Sequence, residues 1–372
     1  MNKSKLMKTF ILTMISILTF TSCSSVETNE DKLSYDIIDA PINQELKTDL
    51  PSISNLYVAK DTIILNSESA ESQLGNIQDI KQFEDTLFIQ SDNAIYLFQT
   101  DGSFIRKINR KGRGHGEYLN ITHFDIGNER IHVLDIDLKR ILVYNFEGTF
   151  IRQVQLKDIV FDFAVLDNGD YLFYNPELYE GDLKRGIWQS DSLYTTCKEL
   201  VTIDKSFLHT FILPRWFVHI NSGTVGLMGA EDTDLIYAIN KDSVKVSAKV
   251  TTDIVMKKKI RNKRTPYVTH NGHEYAKVSY YETNSLIAFA VNNMFNSKVE
   301  IIYDKIGKKT YRIYQSDVKR ISNEDQLIPI IHSAYNGICY SVLHAPQLVS
   351  MQSNEGLPWE GITMDSNPVI LT

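Results

Sequence analysis

Several short clusters in this chain of 372 residues carry side chains able to bind or catalyse. His270-Asn271-Gly272-His273-Glu274 brings together two imidazoles and a carboxylate, donors of the kind that hold zinc, or calcium where carboxylates dominate. The Asn-Gly between the histidines predicts a tight turn rather than the helical spacing of zinc enzymes, so a solvated loop tip is the plainer reading. From Met256 to Arg264 the chain runs MKKKIRNKR, which gathers Lys257, Lys258, Lys259, Arg261, Lys263 and Arg264 in one stretch. Such a block is either a solvated loop or a contact for anionic headgroups, lipopolysaccharide or an acidic glycan. Trp188 and Trp359 stand beside Gly and Pro in loop-like surroundings and are candidates for stacking on a sugar ring, although most of the many aromatic residues belong to a core. No Gly-x-Ser-x-Gly elbow, complete calcium loop or nameable pair of catalytic carboxylates appears, and no cofactor is expected.

The elements that would position these groups are strands. Asp101-Gly102 and Glu147-Gly148 lie 46 positions apart, each followed by a Phe-Ile-Arg run and preceded by an apolar strand ending in aromatic residues. Short apolar runs rich in Ile, Val, Tyr and Phe, bounded by Asp, Asn and Gly, continue on both sides of this pair and recur in weaker form to the end. Four strands per period of that length predict a propeller blade rather than a helical solenoid. Residues 51–372 hold six such blades with extra length at Pro176–Lys198 and Val255–Glu282, read as insertions. Closing the ring requires a strand from each end of the chain, the candidates being Ser54–Leu65 and Pro368–Thr372.

Between the two clear copies lies Gly112-Arg113-Gly114-His115-Gly116-Glu117-Tyr118. Alternating glycines allow positive φ and close backbone approach, as a crossover between blades needs. A phosphate cradle helped by Arg110, Lys111 and Arg113 is the competing reading, but the strand pattern that follows lacks the helix such a loop requires. The motif is similar to the blade linker of NHL-type repeats, with His115 where that family carries Pro. Together with the N-terminal segment it resembles the six-bladed β-propeller lipoproteins of Bacteroidota-type bacteria. The resemblance implies an all-β fold of four-stranded antiparallel blades and an envelope location rather than a particular activity.

The N-terminal segment itself reads as a secretion signal. Lys3, Lys5 and Lys8 precede the apolar run Phe10–Phe20, which at about 1.5 Å per residue is too short to span a bilayer. Thr21-Ser22-Cys23 resembles a lipobox, so residues 1–22 are expected to be removed and Cys23 acylated, with the bilayer as first partner. Residues 23–50 are polar and acidic and are expected to form a flexible tether. The net charge of −7 argues against nucleic acid as a partner. Cys197 and Cys339 remain, free or paired.

The function expected is therefore that of a non-enzymatic envelope lipoprotein, on the outer membrane and facing periplasm or cell surface, that binds a protein or glycan through loops on one face. The competing class is a metal-dependent hydrolase or lyase with its site in the central channel, lined by His123, Asp125, Asp162, His219 and His332.

Overall fold

Strand-forming residues dominate the parts of the chain that the computed structural model describes: residues 35–41, 60–175, 186–202, 216–228, 235–251, 269–270, 273–293, 298–314, 331–351 and 362–372. Two short strands come first, β1 (Asp36–Asp39) and β2 (Thr62–Ile64). Blade one is β3 (Ile77–Phe83), β4 (Thr86–Ser91), β5 (Ala94–Gln99) and β6 (Phe104–Ile108). Blade two is β7 (His123–Gly127), β8 (Arg130–Asp135), β9 (Arg140–Tyr144) and β10 (Phe150–Gln155). Blade three is β11 (Asp162–Val165), β12 (Tyr171–Asn175), β13 (Gly186–Ser190) and β14 (Cys197–Thr202). Blade four is β15 (Phe217–Asn221), β16 (Thr224–Met228), β17 (Leu235–Ile239) and β18 (Val244–Thr251). Blade five holds β19 (Thr269–His270), β20 (His273–Glu282), β21 (Leu286–Asn293), β22 (Lys298–Asp304) and β23 (Lys309–Tyr314). Blade six is β24 (Ile331–Tyr335), β25 (Ile338–Leu343), a short helix α1 (Ala345–Met351), and β26 (Val369–Leu371).

Each sheet pairs its consecutive strands antiparallel, and the six sheets are the blades of an all-β propeller. The ring closes as the sequence predicts: Thr62, Ile63 and Ile64 of β2 pair with Leu371, Ile370 and Val369 of β26, so the outermost strand of blade six comes from the other end of the chain. Asn367 fastens the seam, its side chain accepting from the Leu74 amide and donating to the Asn66 and Ser72 carbonyls. This leaves no open pair of edges at the junction.

The repeated acidic-Gly turn has a mechanical role. Gly102 has φ +89°, and a Cβ there would lie 2.0 Å from the Ile64 carbonyl oxygen of the preceding blade, while nearby Asn66 donates its amide to the Gly102 carbonyl. Gly148, at φ +80°, packs one blade later against the Ile108 side chain, which a Cβ would approach to 3.0 Å, and its carbonyl accepts from Arg110 Nε. Each turn thus docks on the exit of the previous outer strand, a close approach that a side chain would block.

Two expectations change. Asp36–Asp39, placed by sequence in the flexible tether, forms β1, which adds parallel to the outer edge of β18 from Asp36↔Ala248 to Asp39↔Thr251. Its Ile38 and the following Ala40 are fully buried, and Lys308 and Arg312 of blade five hold Asp36 and the Pro41 carbonyl. Two apolar residues in a polar segment were enough, because an unpaired edge supplied the hydrogen bonds. The expected insertions also contain regular structure: β13 and the start of β14 lie within Pro176–Lys198, and β20, the inner strand of blade five, lies within Val255–Glu282.

The two ends of the ring differ. At one, inner strands turn back through Glu84-Asp85, Asn128-Glu129, Ser222-Gly223 and Asn336-Gly337, several with positive φ. At the other, described strands end at Thr202, Thr251, Tyr314 and Leu343, and the next described strands begin at Phe217, Thr269, Ile331 and Val369.

Candidate functional site

The innermost strands bring charged groups from separate blades onto one axis. On β3, residues two apart share a face, so Asp79 and Lys81 project together. Lys81, about 3 % exposed as a side chain, places its ammonium 3.1 Å from Asp125 Oδ1 of β7 and 3.8 Å from Asp79. Asp125 Oδ2 accepts from the Val165 amide of β11 at 2.7 Å and lies 2.8 Å from His219 Nε2 of β15. Tyr335 of β24 closes the circle: its ring lies 4.9 Å from that of His219, and its face receives the Lys81 ammonium at 4.6 Å. Ser333, two residues earlier, donates to Asp79 at 2.7 Å. Burial alone would raise the Asp125 carboxyl, but His219 and Lys81 outweigh it and hold the group well below the usual carboxylate range.

Of the channel residues expected from sequence, Asp125 and His219 meet. Asp162 is buried on β11, but its carboxylate receives the Trp216 and Phe217 amides and so fixes the start of blade four rather than facing a ligand. His123 lies on β7 and His332 on β24, both half-buried, His332 at a register shift of its strand. Lys81, Asp79, Ser333 and Tyr335 were not anticipated. One signal was available: Asp79 precedes Asp125 by the interval that separates Gly102 from Gly148, which assigns it the same inner-strand position.

A metal does not fit this donor set. Asp125 already faces an ammonium, an imidazole and an amide, and the Lys81 cation beside its Oδ1 would repel a divalent ion there. Among the described residues no group of three or more His, Cys, Asp or Glu is arranged to hold a metal. His270 and His273 are register partners where β19 meets β20, and the Asn271-Gly272 between them lies outside the described residues.

Glycines and acid of the linker motif build a fixed corner. Tyr118 is buried; its hydroxyl donates to the Asn93 carbonyl and accepts from the Arg110 amide, and its backbone pairs with Arg110 and Gly112. Glu117 folds back so that Oε2 accepts from the Gly114 amide at 2.7 Å, and it fills the space a Cβ on Gly112 would take. Gly116, at φ +72°, is pressed against Phe150. Trp188, expected in a loop, is a half-buried strand residue of β13 paired with Phe173 and packed on the core of blades two and three. Lys257, Lys258, Lys259, Arg261, Lys263 and Arg264 lie outside the described residues, as do Cys23 and Trp359. Cys197 is exposed, Cys339 half-buried, and both are free thiols.

A cavity of about 510 Å³ opens beside the tight hairpins of blades five, six and one. Its wall includes Lys60, Asp61, Gln82, Asp85, Thr283 and Ser341 over a floor of Ile63, Ile331 and Leu371. That volume falls within the range of small-ligand sites.

A family model described as a domain of unknown function, DUF4934, matches residues 33–372. The chain belongs to this family. Its ring is similar to that of a protein from Bacteroides fragilis NCTC 9343 named as a candidate exported protein, with 16 % identity, TM-score 0.66 and coverage of 90 % of this chain and 98 % of that one. A member of the DUF4221 family from Bacteroides vulgatus ATCC 8482 matches at 8 % identity and TM-score 0.48, covering 84 % of this chain and 96 % of the other. No curated protein matches the DUF4934 chain in sequence.

Proposed function

We propose that this DUF4934 protein is an exported envelope lipoprotein, acylated at Cys23, whose propeller binds a partner protein or glycan through one end of the ring. The observation that carries the reading is the axis itself, where Lys81, Asp125, His219 and Tyr335 satisfy one another across four blades. A hydrolase or lyase site in the channel would need polar groups turned toward a substrate, and here they are turned toward each other. Binding then falls to the ends. Connections between strands at the ends of a rigid scaffold are where recognition surfaces are usually presented. The candidate exported relative in Bacteroides fragilis is consistent with an envelope address.

The test is to extract the acylated protein from membranes in detergent and analyse what accompanies it by metal analysis and by mass spectrometry of proteins and glycans. A metal-free chain recovered with one envelope protein or glycan supports the reading. A stoichiometric divalent metal retained through dialysis overturns it in favour of channel chemistry. Cys23→Ala tests the anchor separately: it should leave the protein unacylated and release it from the membrane fraction.

A further inference from the structure

The cavity of about 510 Å³ lies where blade six is closed differently from its neighbours. In the other blades a short turn joins the two outermost strands, as residues 100–103 join β5 to β6 and residues 305–308 join β22 to β23. In blade six those strands are β26 and β2, drawn from distant parts of the sequence, and no turn of that kind joins them. The cavity opens at this gap, bordered by Lys60 and Asp61 from one strand and by Leu371 and Thr372 from the other.

Its walls are held before any ligand arrives. The Lys60 amide donates to the Thr372 carbonyl at 2.6 Å, and the Thr372 amide to the Asp61 carbonyl at 3.1 Å. Across the opening the Thr100 amide donates to the Asp85 carbonyl at 2.9 Å, and the Thr283 hydroxyl accepts from the Ser285 and Leu286 amides. The Gln82 side chain is spent on the wall itself, donating to the Glu84 carbonyl and accepting from the Tyr340 hydroxyl.

The lining selects the chemistry of an occupant. No aromatic ring and no arginine lines the cavity, so a sugar or a nucleobase finds no stacking face and a phosphate no fork of donors. The charged side chains are Asp61, Asp85 and a single lysine, Lys60, all exposed, and none of the three forms an ion pair among the described residues. Acids outnumber the base. Asp61 Oδ1 accepts from the adjacent Thr62 amide, while the Asp85 carboxylate accepts no hydrogen bond among the described residues. The remaining wall is aliphatic, with Ile63, Ile331 and Leu371 buried and Leu286 and Ile338 half-buried. Hydroxyls of Thr100, Ser285 and Ser341 add neutral partners of the kind a peptide group uses. A matching molecule is cationic at one end, aliphatic along its body and able to exchange neutral hydrogen bonds.

We infer that the blade six cavity binds the free amino end of a short peptide with aliphatic side chains, its ammonium on Asp85 and Asp61 and its first side chain on Ile63, Ile331 and Leu371. This site is separate from the partner surface proposed above, and binding there does not depend on the lipid anchor.

Titration calorimetry of the detergent-solubilised full chain with L-leucyl-L-leucinamide should show one binding site. N-acetyl-L-leucyl-L-leucinamide, which lacks the positive charge, should bind about tenfold more weakly, and glycylglycinamide, which lacks the aliphatic side chains, at least about tenfold more weakly. Asp85→Asn should weaken leucyl-leucinamide by about tenfold and remove most of the difference that acetylation makes, because the two changes delete the same contact. Glu129→Gln, which removes one exposed acid from the equivalent hairpin of blade two, should bind as the unaltered chain does. Lys60→Gln should bind leucyl-leucinamide no more weakly. Failure of the unaltered chain to bind, equal binding of the acetylated peptide, or equal loss in Asp85→Asn and Glu129→Gln overturns the proposal. So does binding of inorganic phosphate that Lys60→Gln weakens, with none of leucyl-leucinamide, which assigns the cavity to an anion.

Discussion

Asp125 on the axis and Glu282 at the end of β20 are both buried carboxylates beside a lysine, and they titrate in opposite directions. Asp125 is held well below the usual range because Lys81, about 3 % exposed, His219 and the Val165 amide all favour the ion. Glu282 is raised: burial dominates, Lys305 offsets it only in part, and Tyr280 adds one hydroxyl. The Lys305 side chain is 18 % exposed and shares its ammonium with the Thr283 carbonyl at 2.6 Å. Several dry donors converging on a buried acid pull it below its ordinary range despite burial, whereas a single, partly exposed cation offsets burial only in part. The first arrangement ties blades together across the axis; the second is local to blade five.

The largest expected effect comes from breaking the axial cluster. Asp125→Ala leaves Lys81 charged, buried and without its closest partner, and should lower stability by about 3–5 kcal/mol in urea unfolding. The double variant Lys81→Met/Asp125→Leu should recover much of that loss, since an apolar pair of similar volume removes the stranded charge. A double no more stable than the single would show that the loss comes from the missing pair itself, and that no stranded charge is being relieved.

A third buried group sharpens the contrast because it has no counter-charge in contact. His132 on β8 is pushed down to about 4 by burial, which outweighs the opposing pull of Asp125. The Gly127 carbonyl at 3.2 Å can only accept, so Nε2 carries the proton and Nδ1 accepts from the Tyr171 hydroxyl at 2.9 Å. With the folded value below the unfolded one near 6.5, the unfolded chain takes up the proton first on acidification. Stability should hold above about pH 6.5 and fall by up to about 3 kcal/mol as pH drops toward 4. His132→Gln, which keeps a donor and an acceptor, should flatten that part of the pH profile; an unchanged slope would place the titration elsewhere.

How far these sites could be foreseen depended on the blade. In the first two blades the turn residues, strand limits and linker were all visible, because Gly102, Gly148 and Tyr118 answer to local needs: a positive φ, a close approach and a crossover. The fold class and ring closure followed from them. Later blades blurred because the acidic-Gly turn and the glycine linker are not repeated there, and because β20 begins in polar sequence that no alternation marks. Trp188 was placed in a loop because Gly186 precedes it, although that glycine begins β13 at φ +149° with the Val201 carbonyl packed against it. The axial cluster was half legible. Asp125 and His219 stood out as polar residues in apolar strands, whereas Lys81 reads as an ordinary solvated lysine until Tyr335 and Asp125 are brought to it from blades distant in sequence.

The smallest effect is expected at Glu282, and its sign is what matters. A carboxyl raised above its unfolded value contributes stability that is complete below about pH 4.5 and is lost as pH rises through the folded value. This is the reverse of Asp125, whose contribution is present above its unfolded value near 4 and lost on acidification. Glu282→Gln keeps an acceptor for Tyr280 and Lys305 and removes a charge that burial already disfavours, so it should change stability by no more than about 1 kcal/mol at neutral pH. Asp125→Asn is as conservative in shape yet should cost several times more, because Lys81 and His219 both lose the charge they face. Equal losses in the two variants would mean that burial, rather than the number of converging donors, sets how each carboxylate contributes.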